Sequence, residues 1–336
     1  MYSEEDLASA IKAGVLTDEA AAAFRAHVFG LKRGSAVDEE HFRLVTGFND
    51  IFVVIACLLL LASVAWIGAT LKPWFGAIAV SVVAWGLGEF FIRRRRMALP
   101  AIVLLLAFAG GTFVFAAGLL IMEGAGVEPM VVLVIASALA AAAAWLHWVR
   151  FQVPITVAAG SAAVAGCVVA LFLSVIPEAR DWSSALSLAA GIVVFLFAMR
   201  WDAADTLRQT RRSDVAFWLH LLAAPLLVHP VFASLGVLNG ETQLGQAILV
   251  VVLYVAIALV SIAIDRRALM VSALAYVLYA FSALLKEYGV VSLSFAITAL
   301  VIGSALLLLS AFWHPSRAFV LGRLPVAVQR RLAPFR

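Results

Sequence analysis

From about residue 48 onward the chain is a succession of apolar runs separated by short polar interruptions. The runs fall at roughly 50–71, 74–92, 99–122, 129–149, 153–176, 183–200, 214–235, 244–264, 268–286 and 290–313. Each comes near the ~20 residues that an α-helix needs to cross hydrocarbon. The pattern predicts an all-α, polytopic transmembrane bundle of about ten helices over 48–313. The interruptions, such as Lys72-Pro73, GAGVEP, IPEARDW and GVLNGETQ, read as turns.

Residues 1–47 have a different pattern, that of a small helical domain. Ser3 and Asp6 make a variant capping box for a helix Glu4–Ala13, which Gly14 ends as a left-handed cap. Thr17 caps a second helix reaching to about Gly30, with Asp18 and Glu19 in its first turn. Leu7, Ile11, Val15, Leu16, Phe24 and Val28 supply the apolar seam of the hairpin. Asp38 begins a third, amphipathic helix that leads into the membrane. At the other end, residues 314–336 form a basic tail whose alternating arginines and apolar residues suit the surface of an anionic leaflet.

Composition agrees with the pattern. The chain is 65% hydrophobic and 13% charged, with a mean hydropathy of +1.06. A soluble domain is nearer half apolar and a quarter charged. The acidic N-terminus lacks the basic region and short apolar core of a cleaved signal peptide, so the first membrane helix is expected to direct insertion. Charge then sets orientation. With the N-terminus inside, the cytoplasmic connections carry Arg93–Arg96, Arg150, the stretch Arg200 to Arg212, and Arg266-Arg267. All but Lys72, Arg180 and Lys286 of the 24 basic residues then lie inside, as the positive-inside rule requires. The net charge of +4 is accordingly read as topology, and no nucleic-acid partner is expected. The expected location is a bacterial inner membrane, with both termini cytoplasmic and membrane lipid as surroundings.

Candidate chemistry is sparse. Cys57 and Cys167 lie inside apolar runs and cannot form a CxxC motif. HExxH, GxSxG and phosphate-loop patterns are absent, and neither cofactor nor metal is expected. GLGE at Gly86–Glu89 only superficially resembles the GxGD motif of intramembrane aspartyl proteases. No carboxylate falls near the middle of a predicted helix. Two polar groupings stand out. Asn49, Asp50, Glu89 and Arg93 meet at the inner ends of the first two helices, with Glu89 and Arg93 an i,i+4 pair. They read as a cytoplasmic-mouth gate, as a headgroup or partner contact, or as interfacial snorkelling with an N-cap. The seventh helix carries His220, Pro225, His229 and Pro230. Pro225 predicts a kink, and interrupted helices are where transporters bind substrates. Nine residues at about 100° each place its two histidines on opposite faces, so they are not a shared metal site. Trp145, His147 and Trp148, like Trp313, His314 and Arg317, read as interfacial belts. Ala107, Gly111 and Gly118 read as a close-packing stripe.

The runs EEDLASAIKAGVLTDEAAAAF, FRLVTGFNDIFV and FWHPSRAFVLGRLP resemble a family of bacterial multi-pass membrane proteins of unknown function. The resemblance implies a short cytoplasmic helical segment ahead of many membrane helices, and assigns no site residues. The expected function is a non-enzymatic membrane scaffold or regulator that engages a protein partner through residues 1–47. The alternative is a transporter of a lipid-like or small organic substrate with helices arranged five plus five, an analogy resting on helix count.

Overall fold

The computed structural model describes residues 9–24, 48–124, 126–206, 208, 210–235, 244–287, 301–305, 312–329 and 332. The chain divides into two compact units, residues 1–43 and 44–336.

In the first unit, residues 9–12 and 18–24 are helical. Gly14 has the left-handed backbone expected of it (φ +70°), and the Ala20 N–H donates to Thr17 Oγ1 at 3.1 Å, which is the expected N-cap. Ala21 is fully buried, whereas Val15, expected in the apolar seam, is 76% exposed because it falls in the turn between the helices. Phe24, also expected in the seam, is 41% exposed, and Ile11 and Leu16 are half-buried; Leu7 and Val28, the Ser3 cap and the Asp38 helix lie outside the described residues.

The second unit is helical throughout its described residues. Its elements are α1 (Phe48–Leu71), α2 (Pro73–Gly88) with a π turn (Glu89–Arg94), α3 (Ala98–Glu123), α4 (Pro129–Phe151) and α5 (Ile155–Val175). A 3₁₀ turn (Pro177–Trp182) leads to α6 (Ser183–Ala203), followed by α7 (Arg211–Ser234), α8 (Leu244–Ile264), α9 (Ala268–Glu287) and α10 (Trp313–Leu321). Helices α1 to α7 are each long and apolar enough to cross a membrane, α2 and α6 together with their flanking turns. These seven are consistent with an integral membrane protein. Helices α8 and α9 contribute shorter apolar stretches, Ile248–Ile264 and Ala268–Leu278. The tenth expected helix, 290–313, lies mostly outside the described residues.

Helices α1 to α5 pack each on the next, as do α6 on α7 and α8 on α9. Prolines at the first position start α2 and α4, where a missing N–H costs nothing. Glu128 caps α4 by accepting from the Met130 and Val131 N–H groups at 2.7 and 3.2 Å. Helix α1 approaches α2 closely, so that a Cβ built on Gly68 would lie 2.6 Å from the Gly76 Cα. Helices in lipid associate through such small-residue contacts, because burying apolar surface there gains nothing over lipid. Gly111 of the predicted stripe has the same role, facing Ser81 and the Ala77 carbonyl of α2. Helix α7 is the most enclosed: half of its apolar window is buried, against 17% for α1, α3, α5 and α6. It packs on α5, α6 and α9.

Candidate functional site

The apolar clusters show which helix ends meet. Cys57, Ile92, Ala101, Phe151 and Val153 share one cluster, and Trp148, Ala158, Ala198, Trp201 and Val215 share another. Thus the Arg93–Arg96 turn, Arg150, and the α6–α7 turn lie at one end of the helices. Lys72, Trp74 and Glu123 lie at the other, where Glu123 accepts from both Lys72 Nζ and Trp74 Nε1.

At the shared arginine-bearing end, residues of the expected cytoplasmic connections Arg200 to Arg212 and Arg266-Arg267 join His220 of α7 in a buried ionic network. Helix α6 runs to Ala203, which puts Asp202 in its last turn and against α7. Asp202 Oδ2 bonds His220 Nε2 at 2.8 Å, and Asp202 Oδ1 accepts from Arg266 Nη2 at 2.6 Å. The Arg266 Nη2 group also donates to the Ser213 hydroxyl and carbonyl at the start of α7, at 3.1 and 3.2 Å. Arg266, expected in an open loop, is only 2% exposed. The α8–α9 turn directs it inward: Asp265 adopts a left-handed backbone (φ +59°), and the Arg266 carbonyl accepts from the Ser261 hydroxyl.

A second layer surrounds Asp265. Arg208 donates to its carboxylate at 2.7 Å and to its carbonyl at 3.0 Å. The Trp313 indole N–H donates to Asp265 Oδ1 at 2.8 Å, and Arg317 Nε lies 3.7 Å from the same oxygen. Burial first, and then the neighbouring Arg266 charge, push the Arg208 guanidinium below its usual range. Asp205 closes the α6–α7 turn by accepting from the Thr210 N–H and hydroxyl at 2.8 and 2.6 Å. Two aspartates, Asp202 and Asp265, therefore face three arginines, Arg208, Arg266 and Arg317, in a largely buried region. Beside Asp202, Asp205, Arg208 and Leu332 lies a recess with room for about one water molecule.

The two groupings singled out in the sequence fare differently. Glu89 and Arg93 are in contact at 3.5 Å, but the main partner of Glu89 is Arg150, which donates to both carboxylate oxygens at 2.6 and 2.8 Å. Asn49 is exposed and Asp50 is 4% exposed. In α7 the histidines face different helices. His220 is fully buried against α6, and His229 Nδ1 bonds the Tyr276 hydroxyl of α9 at 2.5 Å. Helix α7 continues through Pro225 and Pro230, of which only Pro230 is buried. Among the described residues, no group of three metal-ligating side chains is present.

Two interfacial readings need correction. His147 is 1% exposed, bonded to Thr156 Oγ1 at 3.1 Å and ringed by Trp85, Phe108 and Phe151. Trp313 and Arg317 are 2% and 1% exposed, because α10 packs on α8 and gives both side chains an anionic neighbour in Asp265. The available signal was the presence of acids. Asp202, Asp205 and Asp265 are interleaved with the loop arginines, and a loop that serves only to orient helices needs none. Comparison of the chain with protein-family models, with curated proteins and with solved structures finds no match in any of the three.

Proposed function

We propose that this chain is a non-enzymatic integral membrane component of a bacterial inner membrane that scaffolds or regulates a protein partner through its cytoplasmic N-terminal segment. The observation that carries this reading is the internal compensation of the α6–α9 network. Each of Asp202, Asp265 and Arg266 faces an opposite charge, and Arg208 and Arg266 also hold backbone carbonyls. A site built to bind and release a charged substrate keeps some of its charge available to that substrate; here each of these charges has an opposite charge beside it, and among the described residues Arg208 Nε and His220 Nδ1 are buried without a hydrogen-bond partner. The network braces the ends of α6 to α10, while the capped helices of residues 9–24 belong to a separate unit. The proposed topology of about ten helices with both termini inside follows the distribution of arginines. Affinity capture of the full chain is expected to bring down a stoichiometric partner, lost on deleting residues 1–47 while the membrane unit stays folded. Association unchanged by that deletion would sink this reading.

A transporter is the second reading, favoured by one feature of α7. The most enclosed helix carries two prolines, each removing a backbone hydrogen bond, beside His220 and the His229–Tyr276 contact. If α7 lines a substrate path, Pro225→Ala and His229→Ala change uptake or ligand-dependent stability at unchanged expression. Identical behaviour of parent and variants across a substrate panel would count against it.

A further inference from the structure

The connection between α2 and α3 holds four consecutive arginines, Arg93 to Arg96, all exposed. Arg93 reaches Glu89 at 3.5 Å, and the Arg95 guanidinium lies 5.6 Å from the centre of the Phe90 ring. The Glu89 carboxylate is already committed to Arg150 through two short bonds. Among the described residues the Arg94 and Arg96 side chains have neither ion pair nor hydrogen bond.

These charges are not on a loose loop. Ile92 and Met97, on either side of the run, are both 8% exposed. The Arg95 and Met97 N–H groups close the turn onto the Phe90 and Phe91 carbonyls, each at 3.1 Å. Arg96 is held in a left-handed backbone (φ 52°) that its β-carbon disfavours. A π turn precedes it, a local widening that recurs at functional positions. Mutual repulsion would relax if the run were extended and mobile. The fold instead fixes the backbone that carries these four side chains, which lowers the entropy lost when they gather on an anion.

The surroundings identify the anion. The turn lies where two membrane-length apolar helices end, at the depth of lipid headgroups. Phe90 in the π turn and Val82 further along α2 are 41% and 65% exposed, apolar surface along which an acyl chain can run from the arginine turn. Arginine matches phosphate through paired N–H donors. We propose that Arg94 and Arg96 form a binding site for the phosphate of an anionic phospholipid. The site rests on the membrane reading of α1–α7 and is independent of the partner proposed for residues 1–47.

The test uses the full chain in detergent, offered phosphatidylglycerol or phosphatidylcholine of matched acyl length, with retained lipid counted by native mass spectrometry. The parent is expected to retain phosphatidylglycerol preferentially. Arg94→Gln/Arg96→Gln is expected to weaken that retention on the order of tenfold or more. Arg211→Gln/Arg212→Gln removes the same charge from other exposed positions and is expected to leave it unchanged. Should the double variant fold poorly, the single variants R94Q and R96Q carry the test, each losing part of the preference. Equal retention of both lipids by the parent, or equal losses in the two double variants, would overturn the site. Displacement of the lipid by millimolar inorganic phosphate would reassign it to a soluble anion and overturn the lipid proposal.

Discussion

The two halves of the membrane unit differ in whether their charges are exposed or buried. Helices α1 to α5 approach one another through small residues and aromatic contacts. Gly68 meets Gly76, Gly111 meets Ser81, and Trp85 packs on Phe108 and Phe151 with ring centres 5.0 Å apart. The ionic contacts of α2 to α4, Glu89 with Arg150 and Lys72 with Glu123, are at the ends and partly exposed. Helices α6 to α10 also pack through apolar clusters and a glycine contact, Gly191 against Leu226, but add the buried network around Asp202 and Asp265. A small-residue contact depends on shape alone and loses to any added atom. A buried ion pair depends on both partners being present, since each alone would be a bare charge away from water.

That contrast ranks the expected effects of substitution. The largest is predicted for Arg266→Met, which leaves Asp202 without its guanidinium. Removing one member of a buried pair costs about 3–5 kcal/mol, and a thermal or denaturant unfolding curve in detergent measures it. Adding Asp202→Asn to that variant should recover part of the loss, because the uncompensated charge is gone. A double variant no more stable than Arg266→Met would break the ionic account of this half. An intermediate effect is predicted for Gly76→Val, whose Cβ would lie 2.4 Å from the Ala65 carbonyl oxygen. Overpacking of this kind costs about 1–3 kcal/mol, and Gly86→Ala, with open space around its Cα, is the matched control. The smallest effect belongs to Glu89→Gln. Its pair with Arg150 is about one-third exposed on each side, so solvent screens most of the attraction. Its unfolding temperature should match the parent's within error; a large drop would move this pair into the same class as Asp202–Arg266.

Much of the fold was legible because lipid imposes a one-residue rule: each side chain facing hydrocarbon must be apolar. The run 244–264 predicts α8 to the residue, and 129–149 and 183–200 fall short of α4 and α6 only at their polar C-terminal ends. Those underestimated ends matter. The extra turn of α6 carries Asp202, so the same polar residues that ended the predicted helix are the ones that form the network. Glu89 with Arg93 was legible because an i,i+4 pair is a local property of a helix. Glu89 with Arg150, 61 residues apart, was not.

The sequence by itself determined that the chain is helical and apolar enough for a membrane, where most helices start and stop, and that Gly14 and Thr17 punctuate the N-terminal unit. These follow from periodicity, run length and capping, which act within a few residues. Only the tertiary structure decided which charges are buried. Arg266 and Arg267 are adjacent in sequence, yet Arg266 reaches inward to Asp202 while Arg267 lies over the Trp313 ring. Hydropathy scores a charged residue by its own transfer cost. Whether that cost is met depends on a partner brought from 64 residues away by helix packing.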